Sequence, residues 1–191
     1  MKRVLLVLAF LVTAACVLPA SAFPAEDVYY ARCNLKVVKG RLISWVNWQA
    51  AREMIPAGTK LLVSYDGGDE AEIEDPATGR VYRLLLGAEG RPYLEKFVVR
   101  EPVTVVPSSP EIAAEMKKGL IAVGMTKLEA YTAMGPPANA DMVNTDTMTY
   151  DEIMEADLWV YKRKRFGKNI GVAFDPDTGL VTRTEGIWRR Q

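Results

Sequence analysis

Apolar residues follow three different patterns along this chain, and each pattern predicts a different kind of segment. Residues 4–18 are almost wholly apolar. From residue 29 to residue 86, short runs alternate loosely between apolar and polar residues and are separated by Gly, Pro and Asp, which is typical of strands joined by turns. Beyond residue 108, apolar residues first follow the period of short helices and then return to strand-like runs.

The first half of the chain, residues 25–106, is predicted to form a small antiparallel β-barrel. Its strand-like runs recur at a spacing of about 8–12 residues with turn signals between them, as in small barrels. One such signal is the Asp-Pro-Ala-Thr-Gly sequence at 75–79. The five predicted strands cover residues 29–37, 41–48, 60–65, 71–74 and 80–86.

Two short helices are predicted at the start of the second half. Ser109 can cap a first helix whose opening position is a proline, and that helix runs to about residue 118. Thr126 and Glu129 form a T-x-x-E capping box at the start of a second helix, which Gly135 and two prolines end. Its predicted buried stripe consists of Leu128, Tyr131 and Met134.

Residues 138–156 show no clear period and are predicted to be a long polar loop with a helical turn at 151–155. Three strands follow, at 158–162, 170–174 and 180–184. The apolar face of such a sheet needs a cover, and the two helices can supply it. The second half is therefore predicted to be a two-helix, three-stranded α+β sandwich.

The second half also resembles a known family. The helix sequence GMTKLEAYTAMGPP at 124–137, the aromatic strand at 159–161, and the hairpin containing VAFD at 172–175 and GLV at 179–181 are similar to the SmpA/OmlA (BamE-like) family of outer-membrane proteins. The resemblance covers residues 108–186. It implies an α+β domain over 108–191, a lipid anchor, and a role in outer-membrane protein assembly or envelope integrity.

The first half resembles bacterial SH3-like envelope domains, through the Ile-Pro-Ala-Gly-Thr turn at 55–59 and the hairpin after it. With both resemblances, the predicted fold class is α+β: a small SH3-like antiparallel β-barrel followed by the two-helix, three-stranded sandwich. The proline-rich stretch at 101–110 is the predicted boundary between the two domains.

Residues 1–22 are predicted to be a signal peptide. Lys2 and Arg3 precede the apolar run, and Ala-Ser-Ala at 20–22 is a cleavage site. A competing interpretation makes Cys16 a lipid-anchor residue, because small residues precede it. Either way, we expect an exported protein of the periplasm or of the periplasmic face of the outer membrane. After cleavage at the Ala-Ser-Ala site, Cys33 is the one remaining cysteine. It is predicted to be a buried apolar residue, and the alternative is an intermolecular disulfide or a reactive thiol.

Composition argues against an enzyme. The chain has no histidine, so it lacks the commonest general base and metal ligand. The Asp-Pro-Asp-Thr-Gly sequence at 175–179 lacks the full ligand set of a calcium loop and is interpreted as a turn. With 24 basic and 24 acidic residues, the near-neutral chain is not expected to bind nucleic acid. We expect no catalytic residue, metal site or cofactor.

Two sets of residues are candidate contacts. The basic set could meet anionic lipid or an acidic partner surface, or could be a solvated turn; it consists of Lys162, Arg163, Lys164, Arg165 and Lys168. The aromatic set could line a peptide or glycan groove, or could belong to the core; it consists of Trp45, Trp48, Tyr65 and Tyr82.

The sequence therefore predicts a non-enzymatic cell-envelope protein that docks on other envelope proteins at the outer membrane. The alternative is a soluble periplasmic binding module whose SH3-like domain holds a peptide or a cell-wall glycan. Exposure of Trp45 or Trp48 in a groove would favour the alternative.

Overall fold

The computed structural model describes residues 27–185, and the predicted signal peptide and Cys16 lie outside them. The elements are β1 (Asp27–Ala31), β2 (Leu35–Val38), β3 (Leu42–Ser44), β4 (Glu53–Ile55), β5 (Lys60–Ser64), β6 (Glu70–Asp75), β7 (Arg80–Leu85), α1 (Arg91–Leu94), β8 (Val98–Val99), α2 (Pro110–Lys117), α3 (Lys127–Met134), β9 (Asn139–Ala140), β10 (Val143–Asn144), α4 (Tyr150–Glu155), β11 (Leu158–Tyr161), β12 (Ile170–Phe174) and β13 (Val181–Glu185).

The protein is mixed α+β, as predicted, and most of its regular structure is sheet. Strands of the first half form one eight-stranded sheet in the order β4-β2-β3-β7-β6-β5-β1-β8. The sheet curls into a half-barrel whose two edges are β4 and β8. The pairing of β3 with β7 is parallel, whereas the other pairs are antiparallel.

Strands of the second half form a separate five-stranded sheet in the order β10-β9-β11-β12-β13. The predicted antiparallel run of three strands is present as β11, β12 and β13. Within 138–156, the predicted helical turn at 151–155 is confirmed as α4. The prediction of a loop was wrong at 139–144, because β9 and β10 add to the sheet edge there. A second capping box, made by Thr149 and Glu152, starts α4.

The ends of both predicted helices are confirmed. Ser109 caps α2 by accepting from the amide of Ile112, and Thr126 and Glu129 form the capping box of α3. The predicted buried stripe of α3 is wrong at Leu128, which is 40% exposed, whereas Glu129 is only 2% exposed. Glu129 is buried because its carboxylate accepts hydrogen bonds from the backbone amides of Ser108 and Thr126.

Buried apolar residues of the two sheets belong to one continuous cluster. Its largest member is Trp159, whose indole packs edge-on against Tyr131 and Phe174. Cys33 is fully buried in the same cluster. The predicted domain boundary falls in the segment 100–109, which contains no helix or strand, and the division into two domains stays a prediction. None of the helices within residues 27–185 has the length and apolarity needed to span a bilayer.

The Asp-Pro-x-Thr-Gly sequences at 75–79 and 175–179 form the same turn. In each turn the aspartate carboxylate accepts hydrogen bonds from a backbone amide two residues on and from the threonine hydroxyl. The glycines that end the turns have φ values of 67° and 68°, a left-handed conformation that glycine adopts without strain. Each carboxylate is thus engaged within its own turn.

Candidate functional site

The predicted basic residues lie in the loop between β11 and β12, residues 162–169, which we call the basic loop. Lys162 is half-buried, and the other four basic residues are exposed. Phe166 stands among them with 89% of its surface exposed. Within residues 27–185, none of these five cations forms an ion pair with a carboxylate.

The basic loop is fastened to the first sheet by backbone hydrogen bonds. The amide of Gln49 donates to the carbonyl of Lys162 at 3.1 Å, and the amide of Ala50 donates to the carbonyl of Arg163 at 2.9 Å. Because both bonds are between backbone groups, they fix the path of the loop while leaving the arginine and lysine side chains free to face outward.

A groove of about 600 Å³ opens beside this attachment, and we call it the junction groove. It lies between the β2–β3 turn, the segment 48–53 that leads into β4, and the basic loop. Apolar surface comes from Val37, Val38, Trp48, Ala50 and Ala51. Its charged lining consists of Lys39, Arg52, Glu53, Arg163, Lys164 and Arg165.

The charge balance of the junction groove is strongly positive. Of the lining residues that the structure describes, five are cationic and Glu53 is the one carboxylate. Glu53 is itself paired with Arg80. The groove therefore presents unneutralised positive charge next to an indole ring, a combination suited to an anionic ligand that also has apolar groups.

The four candidate aromatics are not brought together. Trp48 lines the junction groove and is half-buried. Trp45 is half-buried and packs against the core. Tyr65 uses its hydroxyl to donate to the carbonyl of Gly68 and to accept from the amide of Gly90. Tyr82 is 3% exposed and borders a different groove, with the guanidinium of Arg80 over its ring.

Two buried asparagines that the sequence did not single out join the first half to helices α2 and α3. The amide nitrogen of Asn34 donates at 2.9 Å to the carbonyls of Met116 and of Ala133. Asn47 accepts from the amide of Lys36 and donates to the carbonyl of Met134. The last carbonyls of α2 and α3 have no partner inside their helices, so side chains of the first half cap helices of the second.

Lys96 ties the two halves together at a second point. Its side chain is 1% exposed, and Nζ donates to the carbonyls of Thr145 and Asp146 at 2.9 and 3.1 Å. Burial lowers the pKa of Lys96 from 10.5 to about 8. An internal lysine carries no periodicity signal that distinguishes it from a surface lysine, so the sequence did not reveal it.

The remaining titratable groups with a clear pKa shift include carboxylates and buried groups. Each described carboxylate whose pKa is clearly shifted has a lowered pKa; for Glu152 and Asp175, backbone hydrogen bonds are the main cause. Burial raises the pKa of the Cys33 thiol to about 12, so the thiolate is strongly disfavoured. Within residues 27–185, no three potential metal-ligating side chains cluster around a common point.

In comparisons with known proteins, no family model, curated protein or solved structure matches this chain.

Proposed function

We propose that this chain is a non-enzymatic docking protein of the cell envelope that binds partner proteins at the periplasmic face of the outer membrane. The observation that carries this proposal is the junction groove, in which Trp48 and three cations of the basic loop face the same open space. Because backbone hydrogen bonds fix the basic loop, the surface is formed before a partner arrives, which lowers the entropic cost of binding.

The sequence resemblances supply the cellular setting of this proposal. The capped helix α3, the strand with Trp159 and the final hairpin resemble the SmpA/OmlA family in sequence, and this resemblance supports a proposed role in outer-membrane protein assembly or envelope integrity. The first sheet is proposed to be a relative of SH3-like envelope domains. The absence of histidine from the whole chain fits a binding role better than acid–base catalysis.

Co-purification from detergent-solubilised envelopes tests the docking proposal. Tagged protein is expected to bring down subunits of the outer-membrane assembly machinery, and the R163E/R165E double variant is expected to lose them. A K60E variant is the control, since Lys60 is an exposed residue of β5 away from the groove. A wild-type preparation that contains no assembly subunit would contradict this role.

A second candidate function is a soluble periplasmic module that binds a peptide or cell-wall glycan. The position of Trp48 in the junction groove favours it, because aromatic rings provide stacking surface for sugars and peptides. Titration with cell-wall fragments would quench tryptophan fluorescence in the wild type but much less in W48F. Mass spectrometry of the mature N-terminus separates a soluble form that begins at Phe23 from a form anchored at Cys16.

A further inference from the structure

We propose that the junction groove is a receptor for an acidic, extended peptide segment of the partner protein. This inference deepens the docking proposal and rests on it, because it names the chemistry of what docks. The proposed occupant is a flexible protein segment in which acidic and apolar residues alternate. Three features of the junction groove support it: the charge of its lining, its position in the first sheet and the placement of its apolar surface.

The charge of the lining selects an anionic occupant. Arg163, Lys164 and Arg165 border the groove on one side, and Lys39 and Arg52 contribute the remaining positive charge. Unlike Glu53, whose carboxylate pairs with Arg80, these five side chains form no ion pair within residues 27–185. Guanidinium groups bind carboxylates in a bidentate geometry, so glutamate and aspartate side chains match this lining.

The position of the groove in the first sheet suits an extended chain. Strand β4 lies at the edge of the sheet, and its pairing with β2 stops at Val37 opposite Glu53. Among the strands of residues 27–185, Val38 pairs with β3 alone. The groove therefore opens where one side of β2 has no strand beside it, and an extended peptide can add as a strand to an exposed sheet edge.

The apolar surface explains why the segment is expected to alternate. Trp48, Val37 and Ala51 share the groove with the cationic side chains. Successive side chains of an extended peptide point to opposite sides, so apolar residues can contact this surface while acidic ones reach the cations. A volume of about 600 Å³ accommodates a few side chains, not a folded domain.

Binding of synthetic peptides, measured by calorimetry, tests the inference directly. The probe is a capped peptide in which glutamates alternate with valines, compared with peptides that carry glutamine or lysine in place of glutamate. The acidic peptide is expected to bind at least about tenfold more tightly than either control, and to weaken strongly between about 50 and 500 mM salt. Equal binding of the acidic and basic peptides would overturn the inference.

Variants within one loop distinguish the groove from the loop tip. R163E/R165E is expected to weaken acidic-peptide binding by at least about tenfold, and W48A by about fivefold. K168E makes the same kind of charge change in the same loop, but Lys168 does not line the groove, so its affinity should stay within about twofold. Circular dichroism confirms that each variant is folded.

The principal rival is an anionic membrane, which would contact the exposed tip of the basic loop. Vesicles containing anionic lipid are therefore tested in parallel. Vesicle binding that is lost in F166S and K168E, with no binding of the acidic peptide, would overturn the inference. If peptide binding fails while R163E/R165E still loses partners in envelope co-purification, the inference is wrong and the docking proposal stands; if partners are also retained, both are wrong.

Discussion

The polar groups on the buried side of the junction between the two halves differ from those on its open side in whether they have a partner. On the buried side, Asn34 and Asn47 are almost fully enclosed and donate hydrogen bonds to helix-end carbonyls of the other half. On the open side, the cations of the junction groove have no carboxylate partner within residues 27–185. Satisfied groups fix the geometry of a fold, whereas unsatisfied exposed charges are available to a ligand.

Contacts on the buried side of the junction also position the residues of its open side. The asparagines hold helices α2 and α3 in place, and the carbonyl of Met134 receives hydrogen bonds from both Asn47 and Gln49. The backbone amide of Gln49 donates to the carbonyl of Lys162 in the basic loop. The buried contacts therefore position one wall of the open groove, so loss of the buried side should disturb the groove, whereas changes in the groove should leave the fold intact.

The largest effect is expected from Asn34→Ala. This change removes the hydrogen bonds that Asn34 makes to two helix-end carbonyls and to the backbone amide of Ala57. The carbonyl of Met116 keeps the backbone amide of Gly119 as a donor, whereas the carbonyl of Ala133 and the amide of Ala57 lose the partner that Asn34 provides. We expect a loss of about 3 kcal/mol in the free energy of unfolding. Urea denaturation measures it, with the exposed Asn169→Ala as the control, and a loss no larger than that of the control would contradict the role of Asn34.

A smaller effect is expected from the pH dependence of Lys96. Its pKa is about 8 in the folded state and about 10.5 when unfolded, so the folded protein releases its proton first as the pH rises. The unfolded state then binds more protons, and raising the pH from 8 to 10 should stabilise wild type relative to Lys96→Met by about 2 kcal/mol.

The variant is needed as a reference because other groups act in the opposite direction. Burial raises the pKa of Cys33 and of Tyr131, so these groups destabilise the folded state as the unfolded forms begin to ionise. Asp146 and Glu152 are the charged groups that favour the protonated form of Lys96. A difference between wild type and Lys96→Met that stays constant from pH 8 to pH 10 would contradict the assignment.

Thr132→Val is expected to have a smaller effect of opposite sign. Within residues 27–185, Oγ1 of Thr132 is the one buried side-chain oxygen or nitrogen without a hydrogen-bond partner. Valine has nearly the same shape and removes the unsatisfied hydroxyl, so the variant should be more stable by about 1 kcal/mol. Thermal denaturation measures the change, with the exposed Thr104→Val as the control. A destabilised Thr132→Val would indicate that the hydroxyl has a partner.

The smallest effect on stability is expected from Arg165→Glu. Its side chain is exposed and unpaired within the described part of the chain, so the free energy of unfolding should change by less than about 0.5 kcal/mol. The same variant should nevertheless lower acidic-peptide affinity. A loss of stability as large as that of Asn34→Ala would show that the basic loop is part of the folded framework.

Local signals in the sequence predicted the helices well and the sheets less completely. The ends of α2 and α3 could be predicted because capping depends on neighbouring residues such as Thr126 and Glu129. Strands β9 and β10 are two residues each and exist because β9 pairs with β11, a contact between distant residues that no periodicity reveals. The exposure of Leu128 likewise depends on which face of α3 meets the core.

The candidate site was predicted only in parts. The basic residues and Trp48 were recognised as candidate contacts from their types, but their meeting in one groove depends on backbone hydrogen bonds between residues 49–50 and 162–163. Asn34 and Asn47 were missed because no local sequence signal distinguishes a buried asparagine from one on the surface. Asn47 has a φ of 49°, which asparagine tolerates better than most residues, but the sequence does not display this conformation.

The central claim is that the open side of the junction is the docking surface. Photo-crosslinking in intact cells tests this claim most directly. A photoreactive phenylalanine analogue replaces Trp48, or in parallel Tyr82, which borders a different groove. We expect an adduct from position 48 that mass spectrometry maps to an acidic segment of an envelope protein, and that disappears in the R163E/R165E background. Adducts that form from position 82 and not from position 48 would contradict the claim.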